Sequence, residues 1–247
     1  MQDAVVSHHA PTAPAYGTTH DGDSVLPTHR HCTPYLSLVV AGSYVEVSPD
    51  GPLQCRPGTV VLHPPFHAHG DRFGRRGART LNLELTRVPS LAPFPEGAQA
   101  WQVDDPVAAR ELFLHAPTQL PELLGDAVLL APAPLPVWQT EMAAAVRDAD
   151  VEITAIARHA GVSAEHASRS FAASHGMSPR ALRGEWRWRR ALSLLAGDLP
   201  LAQVAAAAGY ADQSHLCRVS LRLAGCSPAR VRERIKCVQY AGNPLAA

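Results

Sequence analysis

Residues 153–162, Ile-Thr-Ala-Ile-Ala-Arg-His-Ala-Gly-Val, recur in altered form at residues 201–210, Leu-Ala-Gln-Val-Ala-Ala-Ala-Ala-Gly-Tyr. The two stretches align at an offset of 48 residues, which brings Gly161 onto Gly209. In each copy a helical pattern of apolar residues leads to that glycine, which suits a turn that needs a positive φ. The repeat therefore predicts two copies of one small helical unit.

The second half of each copy is repeated as well, at an offset of 49 residues. Arg169 corresponds to Arg218, and Gly-x-Ser-Pro at residues 176–179 corresponds to the same motif at residues 225–228. In this motif glycine ends one helix, serine caps the next and proline occupies its first turn. Helix, glycine turn and second helix form the layout of a helix-turn-helix. The pattern also predicts a long connecting helix over residues 179–196.

Polar residues stand where the second helix of each unit should begin. Ser163 in the first copy and Asp212 in the second are N-cap residue types, whose side-chain oxygens accept from backbone N–H groups of the first turn. We expect them to cap these helices. In the connecting helix we expect an apolar stripe of Leu182, Trp186, Ala191 and Leu194.

Charge is distributed unevenly along a neutral chain. Residues 1–136 hold 8 basic and 13 acidic side chains, whereas residues 137–247 hold 14 basic and 9 acidic. Residues 163–240 alone hold 12 basic and 5 acidic side chains. A basic half on a neutral chain indicates an anionic partner for that half, and this excess suffices for the salt-sensitive part of DNA binding.

The N-terminal half has a different pattern. From Leu36 to Leu85, short stretches rich in β-branched residues alternate with turns such as Pro49-Asp-Gly-Pro and Arg56-Pro-Gly-Thr, which favours a small barrel or sandwich. The predicted division is a loose N-terminal arm (1–24), a β domain (25–100), a helical segment (101–130), a Pro-rich linker (131–136), a helical domain (137–238) and a tail (239–247). The helical segment either mediates dimerisation or packs on the barrel.

Several classes are disfavoured by composition. No run of about 18 apolar residues is present, and the N-terminal residues lack the pattern of a signal peptide. The cysteines number 5 and include no Cys-x-x-Cys pair, so a reducing cytoplasm is expected.

The C-terminal half resembles the AraC/XylS family of bacterial transcription regulators. The resemblance covers residues 137–236, with a weaker match over residues 27–85. It rests on the run from Gly176 to Ala196 and on the run from Val204 to Arg218, which contains Asp212-Gln-Ser-His. Ser220 and Leu216 stand where phenylalanine is common in the family, and both are core positions. The resemblance implies seven helices in two helix-turn-helix units joined by one long helix.

The resemblance also implies which residues face DNA. The two recognition helices, over residues 163–173 and 212–223, would enter successive major-groove turns about 34 Å apart. Arginine can bind guanine and glutamine can read adenine. We expect these side chains to face outward as candidate DNA contacts: Glu165, His166, Ser168, Arg169, Gln213, Ser214, His215 and Arg218. The alternatives are an intramolecular salt bridge for the arginines, packing or a phosphate contact for His215, and solvent for Glu165.

On the connecting helix, Arg187 and Arg190 lie on one face with Arg183 at spacings of four and three. Such a row usually forms a solvated face, but in a DNA-binding domain it can contact phosphates. We therefore include Arg187 and Arg190 among the candidate DNA contacts.

Nine of the thirteen histidines lie in the N-terminal half. His29-Arg-His31 and His67-Ala-His69 have i, i+2 spacing, which places both side chains of each pair on one face of a strand. We expect these four histidines to line an effector pocket. They are also candidate ligands for a divalent metal such as zinc.

The two histidine pairs, with Arg56-Pro-Gly-Thr between them, form a sequence pattern that resembles that of a cupin barrel. Metal-binding cupins add a glutamate soon after the first pair, and here none follows until Glu46. The alternatives to a metal site are a small-molecule pocket with imidazole donors and acceptors, or a structural histidine set. His63 is expected to pack at a strand end. Nearby arginines either attract an anionic effector or form a solvated face: Arg30, Arg72, Arg75, Arg76 and Arg79.

The predicted fold is therefore two domains: an N-terminal all-β cupin-like barrel and a C-terminal all-α domain with two helix-turn-helix units joined by a long helix. The predicted function is cytoplasmic, sequence-specific transcription regulation, by activation or repression and without enzymatic activity, controlled by a small molecule or metal. The expected partners are promoter or operator DNA, the effector and no membrane, with a homodimer and RNA polymerase left open. The alternatives are a metal-dependent cupin isomerase or dioxygenase, and a stress sensor that reads a metal or Cys32.

Overall fold

The computed structural model describes residues 4–6, 15–85, 95–148 and 152–240. The remaining parts of the predicted N-terminal arm and of the predicted tail lie outside the described residues. Within the described part, residues up to 130 carry all the strands and residues from 137 onward are helical. The prediction of a β domain followed by an all-helical domain is confirmed.

The N-terminal domain is built on one sheet of nine strands. They are β1 (Ala4–Val6), β2 (Ala15–His20), β3 (Val25–His31), β4 (Tyr35–Ser48), β5 (Gly51–Cys55), β6 (Thr59–His63), β7 (Ala68–Glu84), β8 (Gln99–Gln102) and β9 (Val128–Leu130). All the pairings are antiparallel except that between β1 and β3.

Two long strands, β4 and β7, organise this sheet. They pair with each other from Tyr35 opposite Glu84 to Val47 opposite Gly70, with register shifts on either side of Gly42. The other edge of β7 pairs with β3 at one end and with β2 at the other. Because such irregularities bend and twist strands, the sheet curves around a cavity lined from β2, β3, β4, β6 and β7.

The structure differs from the expected loose arm over residues 1–24. Ala4–Val6 forms β1 and Ala15–His20 forms β2, whose six residues all pair with β7. Thr18 and Thr80 meet directly across this pairing, with their hydroxyl oxygens 2.6 Å apart. The polar composition of this segment hid its strands because only alternate side chains of β2 are shielded from solvent.

The segment after the main sheet mixes helices with strands. It contains α1 (Pro106–His115), a 3₁₀ turn and α2 (Leu120–Asp126). Strands β8 and β9, which precede and follow these helices, extend the same edge of the sheet in the order β6–β8–β9. Phe113 and Leu120 are buried in the same core as Leu36 and Leu83 of the sheet. Of the two alternatives for the helical segment, packing on the β domain is therefore the one seen within this chain.

The helical domain contains seven helices in the described residues. They are α3 (Val137–Asp148), α4 (Ile153–His159), α5 (Ala164–His175), α6 (Pro179–Leu195), α7 (Leu201–Ala207), α8 (Gln213–Ala224) and α9 (Pro228–Tyr240). Two separate cores hold them, one around Phe171 and Leu182 and the other around Trp188 and Leu216. The connecting helix α6 contributes to both cores and so joins the two units.

The repeat in the sequence corresponds to a repeat in the structure. Gly161 and Gly209 have φ of 71° and 82° in the two turns, as the repeat predicts. The backbone N–H of His166 donates to Ser163 Oγ at 3.1 Å, and that of His215 donates to Asp212 Oδ1 at 2.6 Å. Both predicted caps are thus confirmed, and they fix where the two second helices begin.

The predicted apolar stripe of α6 is partly wrong. Leu182 and Ala191 are fully buried, but Trp188 and Leu195 are buried in place of Trp186 and Leu194. The Trp186 ring lies instead beneath the guanidinium groups of Arg147 and Arg189.

No helix in the described parts of the chain is both long and apolar enough to cross a membrane.

Candidate functional site

The outer faces of α5 and α8 carry the residues expected to contact DNA. On α5, Glu165, His166, Ser168 and Arg169 are exposed, whereas Ala167 and Phe171 are fully buried. Ser163 and the first residues of α5, up to His166, are all exposed. These four side chains therefore form a continuous exposed face on the helix.

The corresponding face of α8 is similar. Gln213, Ser214 and Arg218 are exposed, while Leu216 and Val219 face the core. His215 is only half-buried, and its ring lies 5.2 Å from the ring of Tyr210 in an edge-to-face contact. This contact favours the packing alternative for His215. His166 on α5 makes a comparable contact with Trp138, at 5.4 Å between ring centroids.

A cleft rich in arginine lies on α6 between the two units. Arg187 and Arg190 line a cleft with Arg147, Arg183 and Trp186, bordered by the end of α3 and the turn before α8. The Arg183 Nε donates to the Val146 carbonyl at 3.3 Å, which anchors one side of the cleft. The predicted arginine row is therefore brought together on one face.

The second site is the cavity inside the β domain, with a volume of about 210 Å³. Three of the four predicted histidines meet at its wall. His29 lies directly opposite His69 in the pairing of β3 with β7, and His31 is two residues further along the same face. One nitrogen from each of the three rings lies within 4.8 Å of the other two.

The contacts of these rings favour ligand binding through nitrogen. His29 Nδ1 lies 3.0 Å from the Pro27 carbonyl, so an N–H there leaves Nε2 as the lone-pair atom. His29 Nε2 is 3.1 Å from His31 Nε2. The Tyr35 hydroxyl lies 3.1 Å from His69 Nε2, and His69 Nδ1 is buried without a partner among the described residues. Burial and the neighbouring histidines lower the pKa of His69 well below its usual value, which keeps the ring neutral.

His67, the fourth predicted histidine, does not join the other three. It precedes β7 in a turn that contains Phe66 at a φ of 62°, and His67 Nδ1 accepts from an Arg189 guanidinium N–H at 3.1 Å. Its ring centroid lies 5.8 Å from that of His69. The i, i+2 rule fails here because His67 lies outside the strand.

Two acidic residues, Glu46 and Asp71, line the cavity together with the histidines. Glu46 Oε2 is 2.9 Å from His63 Nε2, with both side chains buried, so His63 lines the cavity and does more than pack at a strand end. Asp71 lies opposite Glu46 in the pairing of β7 with β4. Burial, together with the charge of Glu46, raises the pKa of Asp71 well above its usual value. Sequence reasoning set Glu46 aside because only the strand pairing brings it to this cavity.

The arginines considered for an anionic effector are absent from this cavity. Its lining, in the part of the chain that the structure describes, contains histidines, Glu46 and Asp71 but neither arginine nor lysine. Arg30 and Arg72 point toward the helical domain instead.

Residues 156–234 match a family model described as a helix-turn-helix domain. The matched range runs from α4 into α9 and includes both units of the repeat. Fold and site therefore define a helix-turn-helix protein, a class that binds DNA. More narrowly, the C-terminal region is a helix-turn-helix domain of the AraC type, which confirms the resemblance of the C-terminal half.

Other comparisons give weak similarity. Apo ToxT from Vibrio cholerae is 10% identical, covers 92% of this chain and 100% of its own, and has a TM-score of 0.41. ToxT bound to an unsaturated fatty acid is 10% identical, covers 92% of this chain and 97% of its own, and has a TM-score of 0.40. Salicylate 1,2-dioxygenase from Pseudoaminobacter salicylatoxidans is 21% identical over 28% of this chain and 21% of its own, with a TM-score of 0.26. Scores this low establish no common fold, and no curated protein matches the chain.

Proposed function

We propose that this protein is a cytoplasmic, sequence-specific transcription regulator whose DNA binding is controlled by an effector held in the β domain. The observation that carries the proposal is the repeated helix-turn-helix with two capped, exposed recognition helices. Arg169 and Arg218 occupy equivalent positions in the repeat, and both are exposed. An arginine there can bind a guanine edge through two hydrogen bonds, and each such pair is worth about 1–3 kcal/mol of discrimination.

The test is a DNA-binding titration with a duplex selected from a random pool by the full chain. We expect Arg169→Ala and Arg218→Ala each to weaken specific binding by roughly 5- to 150-fold, the range of one base contact. Arg110→Ala serves as the matched control, because Arg110 is half-exposed on α1 of the β domain. Failure of the wild-type chain to select any sequence would overturn the proposal. A metal-dependent cupin enzyme would then be the better candidate if the protein held a metal.

For the effector, the cavity favours a divalent transition-metal ion bound by His29, His31 and His69. Zinc–nitrogen bonds of about 2.0–2.1 Å place two nitrogen ligands of a tetrahedral ion roughly 3.3 Å apart. The 3.1 Å between the Nε2 atoms of His29 and His31 is close to this value. The described lining has no arginine or lysine and includes Glu46 and Asp71, which favours a cation over an organic anion.

Co²⁺ is the probe for this site because its visible absorption reports nitrogen coordination. We expect one Co²⁺ per chain, displaced by Zn²⁺, and loss of the absorption band in His29→Ala, His31→Ala and His69→Ala. His67→Ala should keep the band, since its ring is engaged by Arg189. Retention of the band in the His29→Ala and His69→Ala variants would overturn the proposed ligand set. A small molecule bound without metal would then become the leading candidate for the effector.

A further inference from the structure

Strand β3 separates two sets of side chains that serve different parts of the molecule. His29 and His31 face the cavity, whereas Thr28 and Arg30 face the helical domain. This division follows from the two-residue period of a strand, which sends successive side chains to opposite faces. A displacement of β3 by a ligand in the cavity therefore also displaces the contacts on its other face.

The Arg30 contact is buried and has two hydrogen bonds. Its guanidinium group donates to Glu185 Oε1 at 2.8 Å and to Glu185 Oε2 at 2.7 Å, and the two side chains are only 3% and 2% exposed. A third hydrogen bond reaches the Phe66 carbonyl at 3.2 Å. Glu185 lies on α6, the helix that joins the two DNA-binding units. Paired hydrogen bonds of this kind fix orientation as well as distance.

A second connection between the cavity and α6 runs through the turn before β7. His69 faces the cavity, and two residues earlier His67 accepts a hydrogen bond from Arg189, again on α6. Arg189 also donates to both carboxylate oxygens of Asp50, at 2.7 and 2.8 Å. Phe66 packs edge-to-face on Trp188, with ring centroids 6.4 Å apart.

Contacts from the β domain also reach the end of the first recognition helix. The Thr28 hydroxyl donates to the Gly176 carbonyl at 3.0 Å, just after α5. Arg72 donates to the carbonyl groups of Ala172 and Ala173 in the last turn of α5. The β domain therefore holds both α6 and the C-terminal end of α5.

We infer that β3 and the segment 66–69 couple occupancy of the histidine cavity to the docking of the β domain on α5 and α6, with Arg30–Glu185 and His67–Arg189 as the connecting contacts and with Asp50 holding Arg189 in place. This inference rests on the proposed function, because it concerns the regulation of the same cavity. An ion that draws together His29, His31 and His69 fixes the spacing of β3 and β7. It thereby stabilises one position of Arg30 and His67, and with it one placement of the two recognition helices.

Such coupling has a quantitative signature. A ligand shifts DNA affinity only if its own affinity differs between the two placements, and the effect is reciprocal. Allosteric coupling typically changes affinity about 5- to 150-fold. We therefore expect Co²⁺ to change the Kd for the selected duplex by at least about fivefold, and the duplex to change the Kd for Co²⁺ by the same factor.

The test variant is Arg30→Met/Glu185→Leu, which removes both partners and so leaves no unpaired buried charge. The matched control is Arg110→Met/Glu111→Leu, a double substitution of an ion pair whose side chains are 50% and 52% exposed on α1. Asp50→Asn is a milder second variant, since the Asp50 side chain is 30% exposed. Thermal unfolding establishes that each variant folds.

We expect the Arg30→Met/Glu185→Leu variant to retain the Co²⁺ band and to bind the duplex, while the effect of Co²⁺ on its DNA Kd falls below about twofold. Asp50→Asn should reduce the effect partially, and the control should leave it unchanged. An undiminished Co²⁺ effect in the folded double variant would overturn the coupling. So would the absence of any Co²⁺ effect in a wild-type chain that binds both Co²⁺ and DNA. Failure to bind DNA, or loss of the band from every chain, would instead count against the proposed function.

A double-mutant cycle tests the link between the cavity and α6 without any metal. The cycle combines His69→Ala with the Arg30→Met/Glu185→Leu variant and reads the DNA Kd without added ions. Non-additive changes of threefold or more support a link between the cavity and α6, whereas additive changes overturn it.

Discussion

Arg30 and Glu185 are 155 residues apart in sequence, yet their side chains form a buried pair with two hydrogen bonds of 2.7 and 2.8 Å. The pair joins β3 of the β domain to α6 of the helical domain. Charges in such a place are costly to separate, because neither can be hydrated in the folded chain.

Glu185→Gln should therefore lower the free energy of unfolding by about 3–5 kcal/mol, since it leaves the Arg30 charge buried without its partner. Removal of both charges in Arg30→Met/Glu185→Leu should be close to neutral or stabilising. Chemical denaturation measures both. For comparison, the exposed pair Arg230–Glu233 should contribute less than about 1 kcal/mol. Equal losses in the single and double variants would contradict this account.

Gly176 and Gly225 offer a matched pair of substitutions. They occupy equivalent positions in the repeat, with φ of 71° and 67°. A Cβ on Gly225 would meet nothing within 4 Å, whereas one on Gly176 would lie 2.9 Å from Thr28 Oγ1 and 3.0 Å from a methyl carbon of Val47. Gly225→Ala should cost about 1–2 kcal/mol of stability from backbone strain alone.

Gly176→Ala should cost more than Gly225→Ala in the same thermal unfolding experiment. The additional loss comes from the contact with the β domain, and it should disappear when both substitutions are compared in a fragment that begins at Val137, provided that this fragment folds. Equal losses of stability for the two substitutions in the full chain would show that the β-domain residues around Gly176 can move to accommodate the added methyl group.

Arg187 and Arg190 should act on DNA differently from Arg169 and Arg218. If they contact phosphates, Arg187→Ala and Arg190→Ala weaken binding to all sequences alike, and each lowers the slope of log K against log salt concentration by about 0.9. Titrations of specific and unrelated duplexes at several salt concentrations measure this. An unchanged slope would mean that these arginines do not contact phosphates and form a solvated face, the alternative given by their spacing.

His175 should make the stability of the helical domain depend on pH. Burial lowers its pKa from 6.5 to about 4, and its ring stacks on Phe171 at 4.8 Å. The unfolded chain therefore binds a proton below pH 6.5 that the folded chain binds only near pH 4. Stability is full above pH 6.5 and falls as the pH drops toward 4.

When the pH falls from 7.5 to 5, His175 alone should lower the free energy of unfolding by about 2 kcal/mol. The measurement compares urea unfolding of the wild type with that of His175→Gln at both pH values. His175→Gln should be less stable at pH 7.5, and its loss of stability on acidification should be smaller by about this amount. Parallel pH profiles for the two proteins would contradict the assignment.

The sequence predicts the helical domain well because its signals are local. Gly161, Gly209, Ser163 and Asp212 each specify a turn or a cap within a few residues, and the repeat states each signal twice. Trp186 and Trp188 show where local signals no longer suffice. Both lie near the edge of an apolar stripe, and only packing decides which of them is buried.

The cavity was less predictable because its residues meet through strand register. Two-residue spacing places His29 and His31 on one face, but the pairing of His29 with His69 depends on the β3–β7 register. The turn at Phe66 takes His67 out of the strand pattern, and the pairing of β4 with β7 brings Glu46 beside Asp71. No local signal in the sequence carries this information.

The two faces of β3 also bear on how such a protein changes over generations. The residues at 29 and 31 can be replaced to suit a different ligand while those at 28 and 30 remain. The two pairs belong to the same strand, but their side chains contact different parts of the molecule. One strand thus allows the ligand specificity to diverge freely while the joint between the domains is inherited intact.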